Sequence, residues 1–404
     1  TENFSFTLSY KADLLCAKYV VVLVSDTKYE LLDNAKYITN PEALAQSTVV
    51  LPTPSTKKGV TSIMEQYLYM YSMQYGISQT ITDLSLSELF TATENAVVYE
   101  YNGRTYTMNR DILEELDRVV ATANQEEIAV YLRLTLDQGI SADINNVLIT
   151  TSLRAEHYGF RVSGDRAVGY LQAAGAYLAE HYATSKATSG YISGIIVGYP
   201  ADQAYVNYNL GPNSLESFSA NYAAAYRILY NSMRAFSPDL EFYFALSGNW
   251  DRKLSASSVL RYDAKALFDA VTERLALGGQ ISWNLAYSPD SNAELLTEEN
   301  SDGAADTIIS PANLEILCNY LKNKHPSNST GEHKILLVSD DVIPSQRLIY
   351  TIVKMSTSVC SNISGYIVPF ASIEGYENAY LLSDTTDAIV DLESIAMDFG
   401  ADTW

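Results

Sequence analysis

Apolar and polar residues alternate from Phe4 to Tyr10, the period of a half-buried strand. A second, β-branched run over Lys18–Val24 leads into Ser25-Asp26-Thr27-Lys28, a turn-like sequence. The two runs predict an antiparallel hairpin, a short β-element within residues 1–50. Leu51-Pro52-Thr53-Pro54-Ser55-Thr56-Lys57-Lys58 then reads as a linker, because proline disfavours helix at its own position and at the one before.

Beyond the linker, strand-like apolar runs alternate with amphipathic stretches. The strand runs are Gly59–Ser62, Gly76–Ile81, Ile128–Leu136, Tyr191–Val197, Glu241–Ser247, Gln280–Tyr287, Lys334–Ser339 and Gly365–Phe370. The helical stretches are Met64–Tyr75, Arg110–Asn124, Ala167–Tyr182, Leu215–Phe236, Asp263–Leu277, Pro311–Lys324, Ser345–Ser358 and Thr386–Met397. In the second of these Asn109 stands at the cap position. Glu114, Glu115 and Asp117 fall on the wet side, and Ile112, Leu113, Leu116, Val119 and Val120 face a core. Such alternation predicts parallel strands joined by crossover helices, and eight units favour a closed (β/α)8 TIM barrel over an open sheet. The barrel is assigned to residues 51–404 and the β-element to residues 1–50. A further hairpin, Glu100–Met108 with Asn102-Gly103 at its tip, is expected above the barrel mouth.

Charge narrows the partners. The 404 residues carry a formal net charge of −22, which argues against nucleic acid and against an anionic membrane surface. No apolar run reaches the roughly 20 residues that a membrane helix needs, so no membrane insertion is expected. Cys16, Cys318 and Cys360 are too few for a disulfide framework and read as buried thiols. The chain starts at Thr1 rather than Met, from which we expect a removed upstream segment and an extracellular or cell-surface location. The 31 tyrosines suit carbohydrate stacking as well as core filling. Nothing in the sequence sets an oligomeric state.

In a barrel of this kind, chemistry sits at the carboxyl ends of the strands. Those ends offer Asp83, Asp137, then Tyr199 with Pro200, Asp202 and Gln203, then Asn249 with Trp250 and Asp251. Tyr287 with Asp290, Asp340 with Asp341, and Ser372 with Glu374 complete the rim. His157, His181, His325 and His333 all fall on helices, on loops or near strand starts. No metal site is therefore expected. No G-x-G-x-x-G, P-loop or G-x-S-x-G motif occurs, so no cofactor and no serine-hydrolase elbow is expected. Carboxylates with aromatics are the equipment of a sugar site. One acid protonates the leaving oxygen, a second carboxylate attacks or activates water, and rings such as Trp250 and Tyr287 offer stacking platforms. An aspartate at a strand end is, taken alone, more often a helix cap.

Several dispersed peptides carry a resemblance: Tyr37-Ile38-Thr39-Asn40-Pro41-Glu42-Ala43-Leu44-Ala45, Pro54-Ser55-Thr56-Lys57-Lys58-Gly59 and Tyr101-Asn102-Gly103-Arg104-Thr105-Tyr106. So do Gly194-Ile195-Ile196-Val197-Gly198, Ala225-Tyr226-Arg227-Ile228-Leu229-Tyr230-Asn231, Trp283-Asn284-Leu285-Ala286-Tyr287, Ile309-Ser310-Pro311-Ala312-Asn313-Leu314-Glu315-Ile316-Leu317 and Leu337-Val338-Ser339. From Tyr37 onward the chain resembles a bacterial family of unknown function with glycosidase-like (β/α)8 barrels. The resemblance implies clan A strand ends, with G-N-E after the fourth strand and S-E-Q-G after the seventh. Here Gly198-Tyr199-Pro200 and Ser339-Asp340-Asp341 stand at those places, so Pro200 replaces the acid/base and Asp340 the nucleophile. The family's H-P-Y-P after the sixth strand is Ser288-Pro289-Asp290-Ser291.

The expected function is a degenerate glycoside hydrolase-like barrel that binds carbohydrate without efficient hydrolysis. Asp340 is the candidate catalytic residue, and Tyr199, Asp202, Asn249, Trp250, Tyr287, Asp290 and Asp341 are the candidate substrate-binding residues. One alternative is an active glycosidase that uses Asp340 with a relocated acid such as Asp202 or Asp290. Another is a structural or protein-interaction barrel.

Overall fold

The computed structural model describes residues 12–374, apart from 27, 62–64, 252–258, 290–307, 327–331, 345–347, 349–350, 353 and 356. Its strands are β1 (Val22–Ser25), β2 (Lys28–Leu31), β3 (Lys58–Thr61), β4 (Gln79–Ser85), β5 (Val97–Tyr101), β6 (Arg104–Met108), β7 (Ala129–Thr135), β8 (Gly194–Val197), β9 (Glu241–Ser247), β10 (Asn284–Ser288), β11 (Ile335–Val338) and β12 (Ile363–Pro369). Its α-helices are α1 (Ala12–Leu15), α2 (Glu65–Tyr75), α3 (Leu86–Leu89), α4 (Arg110–Gln125), α5 (Ala142–Leu148), α6 (Asp165–Tyr182), α7 (Leu215–Arg234), α8 (Ala264–Leu277) and α9 (Glu315–Lys324). The predicted Ser345–Ser358 helix is helical at Leu348, Thr351, Ile352, Lys354 and Met355, among the described residues.

Strands β3, β4, β7, β8, β9, β10, β11 and β12 form a closed barrel, with β12 pairing back onto β3. All the pairings around it are parallel. The fold is a (β/α)8 barrel. Helices cover the outer face and side chains fill the inside, so β7 is buried along its whole length. Ile81, Tyr131, Ile196, Tyr243, Leu336 and Ile367 pack together as the inner core. Gln79 fills the barrel floor beside Gly365. A β-carbon on Gly365 would stand 2.3 Å from the Gln79 amide nitrogen, so the glutamine occupies space that the glycine leaves.

Among the described residues, two hairpins lie outside the barrel. The first departs from the sequence expectation: β1 pairs antiparallel with β2, Val22 opposite Leu31 and Ser25 opposite Lys28. The turn brings together the nearest strand-forming neighbours, at a smaller closure cost than a partner further upstream. The run Phe4–Tyr10 lies outside the described residues, as do the predicted helix Thr386–Met397 and Asp290.

The second hairpin, β5–β6, has the predicted Asn102-Gly103 tip, with φ of 51° and 71°. Its position is different from the expected one. It runs along α6 on the outside of the barrel, and none of its residues lines the mouth cleft. Arg104 Nη1 donates to the Asp165 carbonyl at one end of α6, and Tyr99 Oη donates to Glu180 Oε2 near the other. Alternation explains the docking. Tyr101, Tyr106 and Met108 bury one face of the hairpin and need an apolar partner.

Cys318 and Cys360 are buried free thiols, and Cys16 is half-buried. No described helix is long and apolar enough to cross a membrane.

Candidate functional site at the barrel mouth

Parallel register delivers two charged side chains to the top of the barrel interior. Asp83 on β4 and Arg133 on β7 are direct partners in the ladder and point the same way, inward. Asp340 follows the end of β11 by two residues, continuing the inward series of Leu336 and Val338. The three side chains meet. Arg133 Nε donates to Asp83 Oδ1 at 2.6 Å, and Nη2 donates to Asp83 Oδ2 at 3.0 Å. Nη1 donates to Asp340 Oδ2 and Nη2 to Asp340 Oδ1, both at 2.8 Å. One guanidinium thus binds two carboxylates, each bidentate. The Arg133 side chain is only 5% exposed, whereas those of Asp83 and Asp340 are 42% and 41% exposed. Burial alone would lower the Arg133 pKa. The hydrogen bonds that Arg133 donates to Asp340 and Asp83 outweigh it and raise it, so the cation is held firmly.

Tyr199 completes the floor. Its hydroxyl donates to Asp83 Oδ2 at 2.7 Å. The Arg133 guanidinium lies over its ring at 3.6 Å, and the His157 ring stacks on it at 4.0 Å and 18°. Two groups so close must occupy opposite faces, so Tyr199 is sandwiched. Burial, with the neighbouring Asp83 and Asp340, pushes its phenol pKa up against the opposing pull of Arg133. It is a hydrogen-bond donor here, not an acid. Its chain position follows from Gly198, whose φ is 75° and where a β-carbon would stand 2.8 Å from the Tyr208 ring.

His157 comes from the segment between α5 and α6. Its backbone N–H donates to Val206 O, and its carbonyl accepts from Asn209 N–H. Nδ1 pairs with Asp137 Oδ1. Burial tends to raise the Asp137 pKa. The hydrogen bonds from His157, Ser85 and Thr135 win and hold it below the usual carboxylate range. A rim without histidine was the sequence expectation; the loop corrects it, because a residue far from any strand end folds back over the mouth.

These groups border a cleft of about 520 Å³, lined in part by Glu156, His157, Tyr199, Asn249, Asp340 and Asp341. Of the expected site residues, Tyr199, Asn249, Asp340 and Asp341 therefore share one cleft, at the position where Pro200 stands instead of an acid. Three others lie elsewhere. Asp202 is 1% exposed and accepts from both the Ser247 N–H and the Ser247 hydroxyl, tying a loop to the end of β9. Burial pushes its pKa up to about 6 despite those hydrogen bonds. Trp250 is 2% exposed and packs against Phe268, Tyr287 and Tyr320. Tyr287 is wholly buried. Strand parity gives the reason: Ala286 faces the inner core, so Tyr287 faces the helical shell. Neither ring presents a face to the cleft, which corrects the expectation of stacking platforms.

The sequence reading placed Asp83 and Asp137 at strand ends but did not rank them as site residues, and it passed over Arg133. A signal for Arg133 was present. A lone charge at the fifth position of Ala-Val-Tyr-Leu-Arg-Leu-Thr, a strand otherwise free of charge, needs a buried counter-ion.

Comparison with known proteins bears on the fold. A crystal structure of the hyperthermophilic β-glucosidase from Pyrococcus furiosus superposes with a TM-score of 0.51 at 10% identity, over 84% of this chain and 88% of that one. A family 39 glycoside hydrolase from Bacteroides cellulosilyticus WH2 gives 0.48 at 10% identity, over 87% and 62% respectively. No curated protein matches the sequence. Residues 50–349 match the model of a family of unknown function, DUF5722. The match spans most of the chain, and this protein is a member of that family, built on a (β/α)8 barrel.

Proposed function

We propose that the barrel binds a carbohydrate in its mouth cleft and does not hydrolyse it efficiently. One observation carries the reading: both oxygens of Asp340 are already engaged by Arg133. A carboxylate nucleophile attacks with the charge on its oxygens, and a bidentate guanidinium withdraws charge from both of them, which lowers their nucleophilicity. The second carboxylate of the cluster, Asp83, is bound to the same cation. It therefore lacks the independent environment that separates an acid from a nucleophile in glycoside hydrolysis. Pro200 supplies no proton at the other expected position.

Affinity in this reading comes from polar contacts. Gln203, Asn207, Asn249, Ser288 and Ser339 border the cleft and present amides and hydroxyls that suit sugar hydroxyls. The buried rings of Trp250 and Tyr287 contribute through the core only.

A second reading is favoured by the Asp137–His157 pair, which brings an imidazole to the cleft. With it, the barrel would be a glycosidase with a displaced proton donor. Asp202 is unsuited to that role because it is sealed under Ser247. A glycan panel, scored for both binding and release of reducing ends, separates the two readings. Binding without release supports the first, and release that fails in His157→Ala supports the second.

A further inference from the structure

The charge around the cleft goes beyond what a neutral sugar requires. Asp83, Asp137, Glu156, Asp340 and Asp341 place five carboxylates on or beside it. Against them, among the described residues, stand one guanidinium, Arg133, and one imidazole, His157. Among the described residues no lysine or arginine lines the cleft itself. Arg133 is spent on two carboxylates and buried beneath them, so its charge is not presented to a ligand. The balance is about −4 with His157 neutral and about −3 with it protonated. The partly exposed Asp83 and Asp340 also keep lone pairs beyond those that Arg133 uses. Low-dielectric barrel walls concentrate this field at the mouth.

We infer that the preferred ligand is a cationic glycan, one that carries free amino groups such as a de-N-acetylated amino-sugar chain. This rests on the carbohydrate reading of the same cleft. Three features lead to it together. The cleft has glycan-sized volume and many neutral hydrogen-bonding side chains. The aromatic rings that usually supply sequence-tolerant sugar affinity are enclosed, since Tyr199 is covered on both faces and Trp250 and Tyr287 are buried. Discrimination is then left to charge and hydrogen bonding. An ammonium group satisfies carboxylate lone pairs that a hydroxyl serves only weakly. Uronates and sulfated sugars would meet like charge, which disfavours them.

The test is titration calorimetry at mildly acidic pH with four tetrasaccharides: glucosamine, N-acetylglucosamine, glucose and galacturonate. The glucosamine chain should bind about tenfold tighter than its acetylated and neutral counterparts, lose that advantage in high salt, and exceed the galacturonate chain by more. The double variant Glu156→Gln, Asp341→Asn should lose most of the advantage. Both side chains are exposed, so the fold should tolerate the change. Equal binding of charged and neutral chains would overturn the inference and leave the carbohydrate reading standing. Failure of all four to bind would overturn both, and preference for galacturonate would reverse the sign of the charge argument.

Discussion

Arg133 holds Asp340 by two parallel hydrogen bonds of 2.8 Å, from the barrel interior outward to the mouth. The pair joins β7 to the end of β11, across the barrel from one another, and Asp83 joins β4 to the same cation. A site of this kind is fastened by its charges, not primed by them.

The first prediction concerns that fastening. Arg133→Met leaves Asp83 and Asp340 facing each other without a cation. Breaking a buried ion pair costs about 3–5 kcal/mol. Because both carboxylates are more than 40% exposed, solvent reduces this, and roughly 2 kcal/mol is expected. Asp340→Asn should cost about 1 kcal/mol, because Asp83 still neutralises the guanidinium. Urea unfolding of both variants measures the two values. Equal stability of Arg133→Met and the parent chain would contradict the assigned role.

A second prediction concerns pH. Asp202 has a folded pKa of about 6 against an ordinary 3.8, so the folded chain holds more protons between those values. Its contribution to stability is full below the unfolded value and is lost as pH rises through about 6. The loss is of order 2–3 kcal/mol. Asp137 has the opposite sign: its folded pKa is lowered, so its contribution is present above the unfolded value and lost as pH falls. Stability measured across this range should decline less toward neutral pH in Asp202→Asn than in the parent. Asp137→Asn should instead be less sensitive at the acid end. Parallel pH profiles for all three proteins would rule out both assignments.

Trp250 provides a third. Its ring is enclosed by Phe268, Tyr287 and Tyr320. Trp250→Ala should destabilise the fold by about 3–5 kcal/mol. Trp250→Phe should fold well and bind glycan as the parent does. Calorimetry on Trp250→Phe, and thermal unfolding of both variants, check this. A large loss of affinity in Trp250→Phe with stability unchanged would return the ring to the cleft.

Much of the fold was legible because its periodicity is local. Eight apolar runs separated by amphipathic stretches imply crossover connections, and eight such units favour a closed barrel over an open sheet. Asn109 was legible as a cap and accepts from Asp111 N–H. The site was harder to read. Tyr287 looked like a rim residue because it ends an apolar run, but its neighbour Ala286 takes the inward place and strand parity sends the ring out. His157 lay in a loop with no regular period, and the pairing of Tyr158 with Asn209, with the His157 N–H on Val206 O, brings that loop over the mouth. Arg133 and Asp340 are 207 residues apart, and no local pattern announces such a contact.

The central claim, that the cleft binds without cleaving, is tested most directly by turnover of a panel of aryl glycosides by the parent chain and by Asp340→Asn. The account predicts release at the background rate in both proteins, even for sugars that calorimetry shows to bind. Robust hydrolysis by the parent that disappears in Asp340→Asn would contradict it, and would make Asp340 a working nucleophile despite its bond to Arg133.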